Sequence, residues 1–161
     1  MDEPTVLDTT VLSNFAYEGE FVVLSDLPRL STVPAVETEL AQGIESYPYL
    51  RDALVFVRSN EVTVLEPPAT DTESTLYETL GSGESQALAV VDEHDGVVVT
   101  DDMDARKAAK ERGMAVTGSI GVLVRAVERS IVDTEEANEW LSAWIDETGY
   151  RSPSDDLNDF L

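Results

Sequence analysis

Short runs of β-branched and apolar residues alternate along the chain with stretches whose apolar positions recur at helical spacing, the pattern of a βα fold. TVLD, LSTV, EVTVLE, GVVVT and MAVTG predict strands bounded by polar or turn residues. Between them, helices are predicted over about Thr10 to Tyr17 and near Phe21 to Leu27, then from Pro34 through Val36, Glu39, Leu40 and Ile44, and over YPYLRDALVFVRS. Pro34 suits a first helical turn, where an N–H would have no helical partner. A helical pair follows, TESTLYETL and ESQALAVVDEHD, divided by Gly81-Ser82-Gly83. GVVVT is a continuous apolar run of the kind buried on both faces, so it predicts a strand lying centrally in a parallel sheet. DARKAAKERG predicts a helix stopped by Gly113, SIGVLVRAVERS another, and TEEANEWLSAWIDETG a last long helix with Trp140 and Trp144 on one face. The expected architecture is α/β, a three-layer αβα sandwich around a central, mainly parallel sheet of about five strands. With 161 residues, no repeat and no linker, one domain over 1–161 is expected.

Composition changes this picture in one respect. Asp and Glu number 33 against 10 Lys and Arg, a formal net charge of -23, yet 42% of residues are hydrophobic, which is enough for a core and argues against disorder. Lysine is represented only by Lys107 and Lys110. That balance suits a protein folding in concentrated salt, and a halophile's cytoplasm is the expected setting. The start, MDEPTVLD, carries no basic segment followed by an apolar one, and no run approaches the roughly 20 apolar residues of a membrane span. Without cysteine there is no disulfide, thiolate metal site or cysteine nucleophile.

In so acidic a chain the number of carboxylates says little, but their positions say more. In open α/β sheets ligands bind beyond the carboxyl ends of the strands. Asp8 is the first polar residue after TVL and opens the turn into a helix, while Asp101, Asp102 and Asp104 follow the strongest strand directly after Thr100. Three acids so close together repel one another unless a cation or basic groups offset them. Glu84 begins a helix after the Gly-Ser-Gly turn. Glu37 and Glu39 compete within one helix, and Glu39, next to Leu40 of the buried stripe, is preferred. Gathered together, these acids make an oxygen-ligand site for Mg²⁺ or Mn²⁺, the equipment for cutting phosphodiesters. Each also has a structural reading: Asp8, with Thr9 and Thr10 as alternatives, as a helix N-cap, Asp101 or Asp102 as the cap of the following helix, and Glu84 and Asp104 as first-turn acids favoured by the helix dipole.

Six of the ten basic residues lie between positions 106 and 129. Arg106, Lys107 and Lys110 sit on the helix leaving the acidic cluster, where they could hold a phosphate backbone; the competing reading is helical pairing of the basic residues with Glu111 and Glu128 on solvated faces. His94 is the only histidine and closes a helix in DEHDG, a surface or capping position. Trp140, Trp144 and Tyr150 read as core or a partner face.

These segments together resemble a PIN-domain nuclease of the VapC-like branch over nearly the whole chain. The matching elements are VLDTTVLSNF, the Pro-led helix VPAVETEL, GESQALAVV, VVVTDDMDARKAA and VTGSIGVLVRA. Residue by residue, the resemblance implies metal and catalytic roles for Asp8, Glu39, Glu84 and Asp102, with Asp104 or Asp101 as a further ligand or supporting acid, and hydroxyls near the site from Thr9 or Thr10 and Thr100. It implies an Mg²⁺- or Mn²⁺-dependent endoribonuclease acting on RNA, a toxin inhibited by an antitoxin, and a homodimer. The tandem Asp101-Asp102 leaves the alignment of the last acid open. One rival is an Asp8-nucleophile phosphatase or receiver-like phosphoryl-transfer domain, but DTT lacks a second Asp and neither lysine follows a predicted strand. Another is an inactive PIN-fold module that binds RNA or protein.

Self-repulsion at -23 destabilises the fold where the Debye length is long, and at about 1 M salt that length shrinks to roughly 3 Å. The melting temperature should therefore rise steeply as NaCl or KCl is raised toward that range, and a salt-independent melting curve would remove the electrostatic account.

Overall fold

The computed structural model describes residues 3–68 and 80–161. Five short parallel strands make one sheet: β1 (Thr5–Leu7), β2 (Leu30–Thr32), β3 (Thr63–Val64), β4 (Val97–Val99) and β5 (Ala115–Thr117), in the order β3-β2-β1-β4-β5. All four pairings are parallel. Helices connect the strands: α1 (Thr9–Glu18), a short α2 (Val22–Ser25), α3 (Pro34–Gly43), α4 (Leu50–Val57), α5 (Ser82–His94), α6 (Met103–Glu111), α7 (Ser119–Glu128) and α8 (Thr134–Ala143). The strand order reverses between β1 and β4, and crossovers running in opposite directions from that point place helices on both faces. Among the described residues no helix is long and apolar enough to cross a membrane.

GVVVT forms an interior strand, but the middle of the sheet is β1, because the chain starts there and builds outward to either side. All three residues of β1 are buried, whereas β4 keeps Val97 partly exposed. EVTVLE contracts to the two exposed residues of β3 at one edge, where only one neighbour is available for pairing. The helix expected near Phe21 to Leu27 is the single turn of α2. The helix expected over TESTLYETL falls at 72–80, and 72–79 lie outside the described residues.

Register positions the site. Leu7 pairs with Val99 and Val99 with Thr117, so β1, β4 and β5 stop level with one another. Asp8, Thr100 and Gly118 then leave the sheet side by side, with Asp8 N–H donating to Val99 O at 3.0 Å and Thr100 N–H to Thr117 O at 2.9 Å.

After α8 the chain makes one wider turn at Trp144–Thr148 and stops at Gly149, whose φ of 74° favours glycine. Trp144 is fully buried, donates Nε1–H to Asn14 O at 2.9 Å, and meets Phe15 and Tyr150 edge-on at 5.1 and 5.9 Å. Trp140 is buried as well, so the pair serves the core. Trp144→Ala should cost about 3–5 kcal/mol, read as a lower denaturation midpoint in high salt, because it opens a cavity and removes the indole bond to Asn14 O.

Candidate functional site

Asp8 is the hub of the carboxyl edge. It is 1% exposed and N-caps α1, with Oδ1 accepting from Thr9 N–H at 2.6 Å. Its Oδ2 accepts from the Thr100 hydroxyl at 2.5 Å and the Thr10 hydroxyl at 3.2 Å. The capping and site readings therefore hold together, since a residue that starts a helix at a strand end is also the one the turn buries. Burial pushes the Asp8 carboxyl up to about 7, helped by the negative charge of Glu84 and, to a lesser degree, of Glu39, against the opposing bonds from Thr100 and Thr9.

Glu39 reaches this edge from α3. Its Oε2 lies 3.4 Å from the Thr9 hydroxyl, while Oε1 is buried without a hydrogen-bond partner. Burial raises its pKa above the usual carboxylate range and Glu84 adds to that; the Thr9 hydroxyl and the Gly83 amide work the other way. Gly83, in the first turn of α5, leaves room for this side chain, because a Cβ there would collide with Glu39 Oε1. Glu84 stands one residue further along the same turn. Glu37 turns instead to the surface and pairs with Arg58 at 2.9 Å.

The tandem aspartates separate by what they touch. Asp102 N-caps α6, accepting from Ala105 N–H at 2.9 Å, while its own N–H donates to the Thr100 hydroxyl at 3.1 Å. Thr100 thus joins Asp102 to Asp8. Asp101 points the other way: Oδ1 accepts from Ser119 N–H at 2.7 Å, and Oδ2 accepts from the Ser119 hydroxyl at 2.5 Å and Asn14 Nδ2 at 3.0 Å. Asn14 also bonds Ser119 at 3.1 Å, and Asp101 N–H donates to the Thr10 hydroxyl at 2.9 Å. Burial raises the Asp101 pKa even against these donors and the nearby Arg106 charge. Tyr150 packs alongside, its phenol raised above its ordinary value by burial and then by the Asp101 charge. Asp104 is exposed in the first turn of α6, on a shallow surface shared with Leu80, Lys107 and Glu111.

The basic residues divide similarly. Arg106 donates to Thr100 O at 3.1 Å and lies beside Asp101, so it braces the edge. Lys107 is exposed and stands 4.0 Å from Glu111, and Lys110 is exposed on the same helix. The expected partner of Arg125 and Arg129 is replaced: both meet Asp26 rather than Glu128, at 2.7 and 2.6 Å. α7 packs against α2, which brings Asp26 to a distance the helix periodicity does not register.

Among the described residues no group of three His, Asp or Glu side chains is already arranged around one ion. The chemistry of the set nevertheless fits a hard divalent cation. The donors are oxygen alone, Asp8, Glu39 and Glu84 repel one another, two of them are desolvated, and Glu39 Oε1 is a buried acceptor in need of a partner. Asn14, Ser119 and Tyr150 were missed in the sequence. Asn14 carried a signal, being a polar residue inside the buried α1 stripe of Val11, Leu12, Phe15 and Ala16.

The family model DUF3368, described as PIN domain, matches residues 4–161. None of the curated proteins compared with the chain matches it.

Because the folded-state pKa of Asp8 is raised from 3.8 to about 7, the metal-free fold holds a proton that the unfolded chain releases earlier. Its contribution to stability is complete below about 4 and is lost as pH rises through about 7. A divalent cation competes with that proton, so the rise in melting temperature caused by Mn²⁺ should be larger at pH 8 than at pH 6. An equal rise at both values would remove Asp8 from the binding set.

Proposed function

The chain belongs to the PIN-domain family, whose members are in general nucleases that use divalent metal ions, and from that premise we propose that it is a metal-dependent endoribonuclease. The observation that carries this reading is the mutual repulsion of Asp8, Glu39 and Glu84, the first two of them desolvated, near the strand-order reversal beyond the ends of β1 and β4.

Asp8, Glu39, Glu84 and Asp102 would hold Mg²⁺ or Mn²⁺. When bound, such an ion lowers the pKa of an attacking water and offsets the charge that develops on the scissile phosphate. The chain's own part is orientation. Thr10 and Thr100 fix the Asp8 carboxylate, and Thr100 also sets the start of α6, so Asp8 and Asp102 keep their relative placement when substrate arrives. Asp101 acts as a positioning residue: its oxygens bind Ser119 and Asn14, which ties the β4 end to α7 and α1. Lys107 and Lys110 are the exposed cations of α6 that would meet the phosphate chain, Lys107 by turning from Glu111, while Arg106 is held at the edge. Asp104, exposed beside them, would join only as a supporting acid. With both Asp8 oxygens engaged by Thr9, Thr10 and Thr100, a nucleophilic role for Asp8 is disfavoured. A toxin role, an antitoxin partner and a homodimer rest on the VapC-like sequence pattern, and a salt-rich cytoplasm rests on composition.

In high-salt buffer with Mg²⁺ or Mn²⁺ the protein should cleave single-stranded RNA, and EDTA should stop it. Asp8→Asn and Asp102→Asn should abolish cleavage while the far-ultraviolet circular dichroism is kept, and Gly83→Ala should do so by displacing Glu39. Asp101→Asn should cost about 10- to 100-fold, as expected for a group acting through its neighbours. Cleavage that persists in EDTA or in both Asp8→Asn and Asp102→Asn would rule the reading out.

A further inference from the structure

An open groove of about 410 Å³ runs away from Glu39 between α3 and α5. Pro34, Ala35, Thr38 and Gln42 recur along one face of α3 to form one wall, and Ser82 and Gln86 on the first turns of α5 form the other. Gln86 Oε1 accepts from Ala35 N–H at 3.0 Å, which ties the walls together and orients that amide. The volume lies within the roughly 300–1,000 Å³ typical of sites for small ligands.

The chain carries 33 acidic residues, yet among the described residues Glu39 is the only charged one lining the groove. Among the described residues no cation lines the groove to hold a phosphate, and a phosphate placed against Glu39 would be repelled. Side-chain amides and hydroxyls are instead the groups that hydrogen-bond base edges and ribose hydroxyls. The exposed lysines lie elsewhere, on α6 beyond Asp102.

We propose that the α3–α5 groove seats the base and ribose of one RNA nucleotide adjoining the cleaved phosphate, with Thr38, Gln42, Ser82 and Gln86 as specificity-determining residues. The proposal rests on the nuclease reading and adds to it a division of the substrate: bases enter between α3 and α5, and the phosphate chain leaves along α6. Thr38 and Gln42 are exposed, so both are replaceable without loss of packing.

The test uses the whole chain in high salt with EDTA and four single-stranded tetranucleotides, each of one base. Amide shifts in NMR should centre on Thr38, Gln42, Ser82 and Gln86, with affinities differing among the bases by about fivefold or more, the effect of one well-placed base contact. Gln42→Ala and Thr38→Val should flatten those differences, and in the presence of Mg²⁺ they should change the base preference at cleavage sites in a random RNA pool. Shifts located elsewhere, equal affinity for all four bases, or preferences unchanged in both variants would overturn the subsite. Cleavage by the native chain with unchanged preferences in the variants would leave the nuclease standing and remove the groove. Oligonucleotide binding in the groove without any cleavage would do the reverse.

Discussion

The hydrogen bond from the Thr100 hydroxyl to Asp8, 2.5 Å long and buried, joins the first residue beyond β1 to the first residue beyond β4. It spans the place where the strand order reverses, so two crossovers that build outward in opposite directions are fastened at their common origin. The same hydroxyl accepts from Asp102 N–H, which starts α6, and the same Asp8 starts α1. A side chain carrying so many tasks must be buried, and burial is what lifts its pKa. The electrostatic strain at this edge therefore follows from the way the sheet is closed, before any ligand is considered, and a strained carboxylate in a cleft is the situation in which perturbed pKa values accompany function.

The parts of this arrangement that depend on local pattern were legible in the chain. Apolar runs located the strands, the first polar residue after each run marked the edge, and the Pro34 and Gly113 signals bounded helices near their observed ends. Glu37 and Glu39 each adjoin a residue of the buried stripe, Val36 and Leu40, and only the tertiary contacts, Arg58 for Glu37 and Thr9 for Glu39, tell them apart. What stayed out of reach depends on contacts distant in sequence. Asp101 and Asp102 are adjacent and chemically identical, and they differ only because Ser119 and Asn14, 18 and 87 residues away, take the oxygens of one of them. Asp26 draws Arg125 and Arg129 from 99 and 103 residues away, a pairing that helical spacing does not register. The place of β1 at the centre of the sheet was hidden for the same reason, since no strand announces which neighbours it takes.

The net charge of -23 would be expected to blur any acidic site, yet the structure distinguishes its acids by environment. Asp26 is held well below the usual carboxylate range by Arg129 and Arg125, and Glu37 has Arg58. Asp8 and Glu39 are moved upward, because burial and like charge act on them together. Among the described residues, Arg58, Arg125 and Arg129 pair with surface acids, and no ion pair reaches Asp8, Glu39 or Glu84. Surface pairs of this kind contribute little to stability, about 0–1 kcal/mol each. Their consequence is to leave the edge of the sheet as the place where positive charge from outside would be most strongly held.

An acidic nuclease must still admit a polyanion. Long-range attraction is unavailable to a chain of this charge, and in concentrated salt it would be screened in any case. Recognition then has to rest on short-range contacts that screening does not reach: a divalent ion lodged among buried carboxylates, and neutral amides and hydroxyls that meet the uncharged part of a nucleotide. The side chains suited to each lie within reach of one residue. Glu39 lies at the inner end of the α3–α5 groove and beside Asp8, so the side chain whose buried oxygen lacks a partner is also the point where the two kinds of contact meet. The close approach that Gly83 permits is what puts it there, and a single Cβ at that position would separate the carboxylate from both.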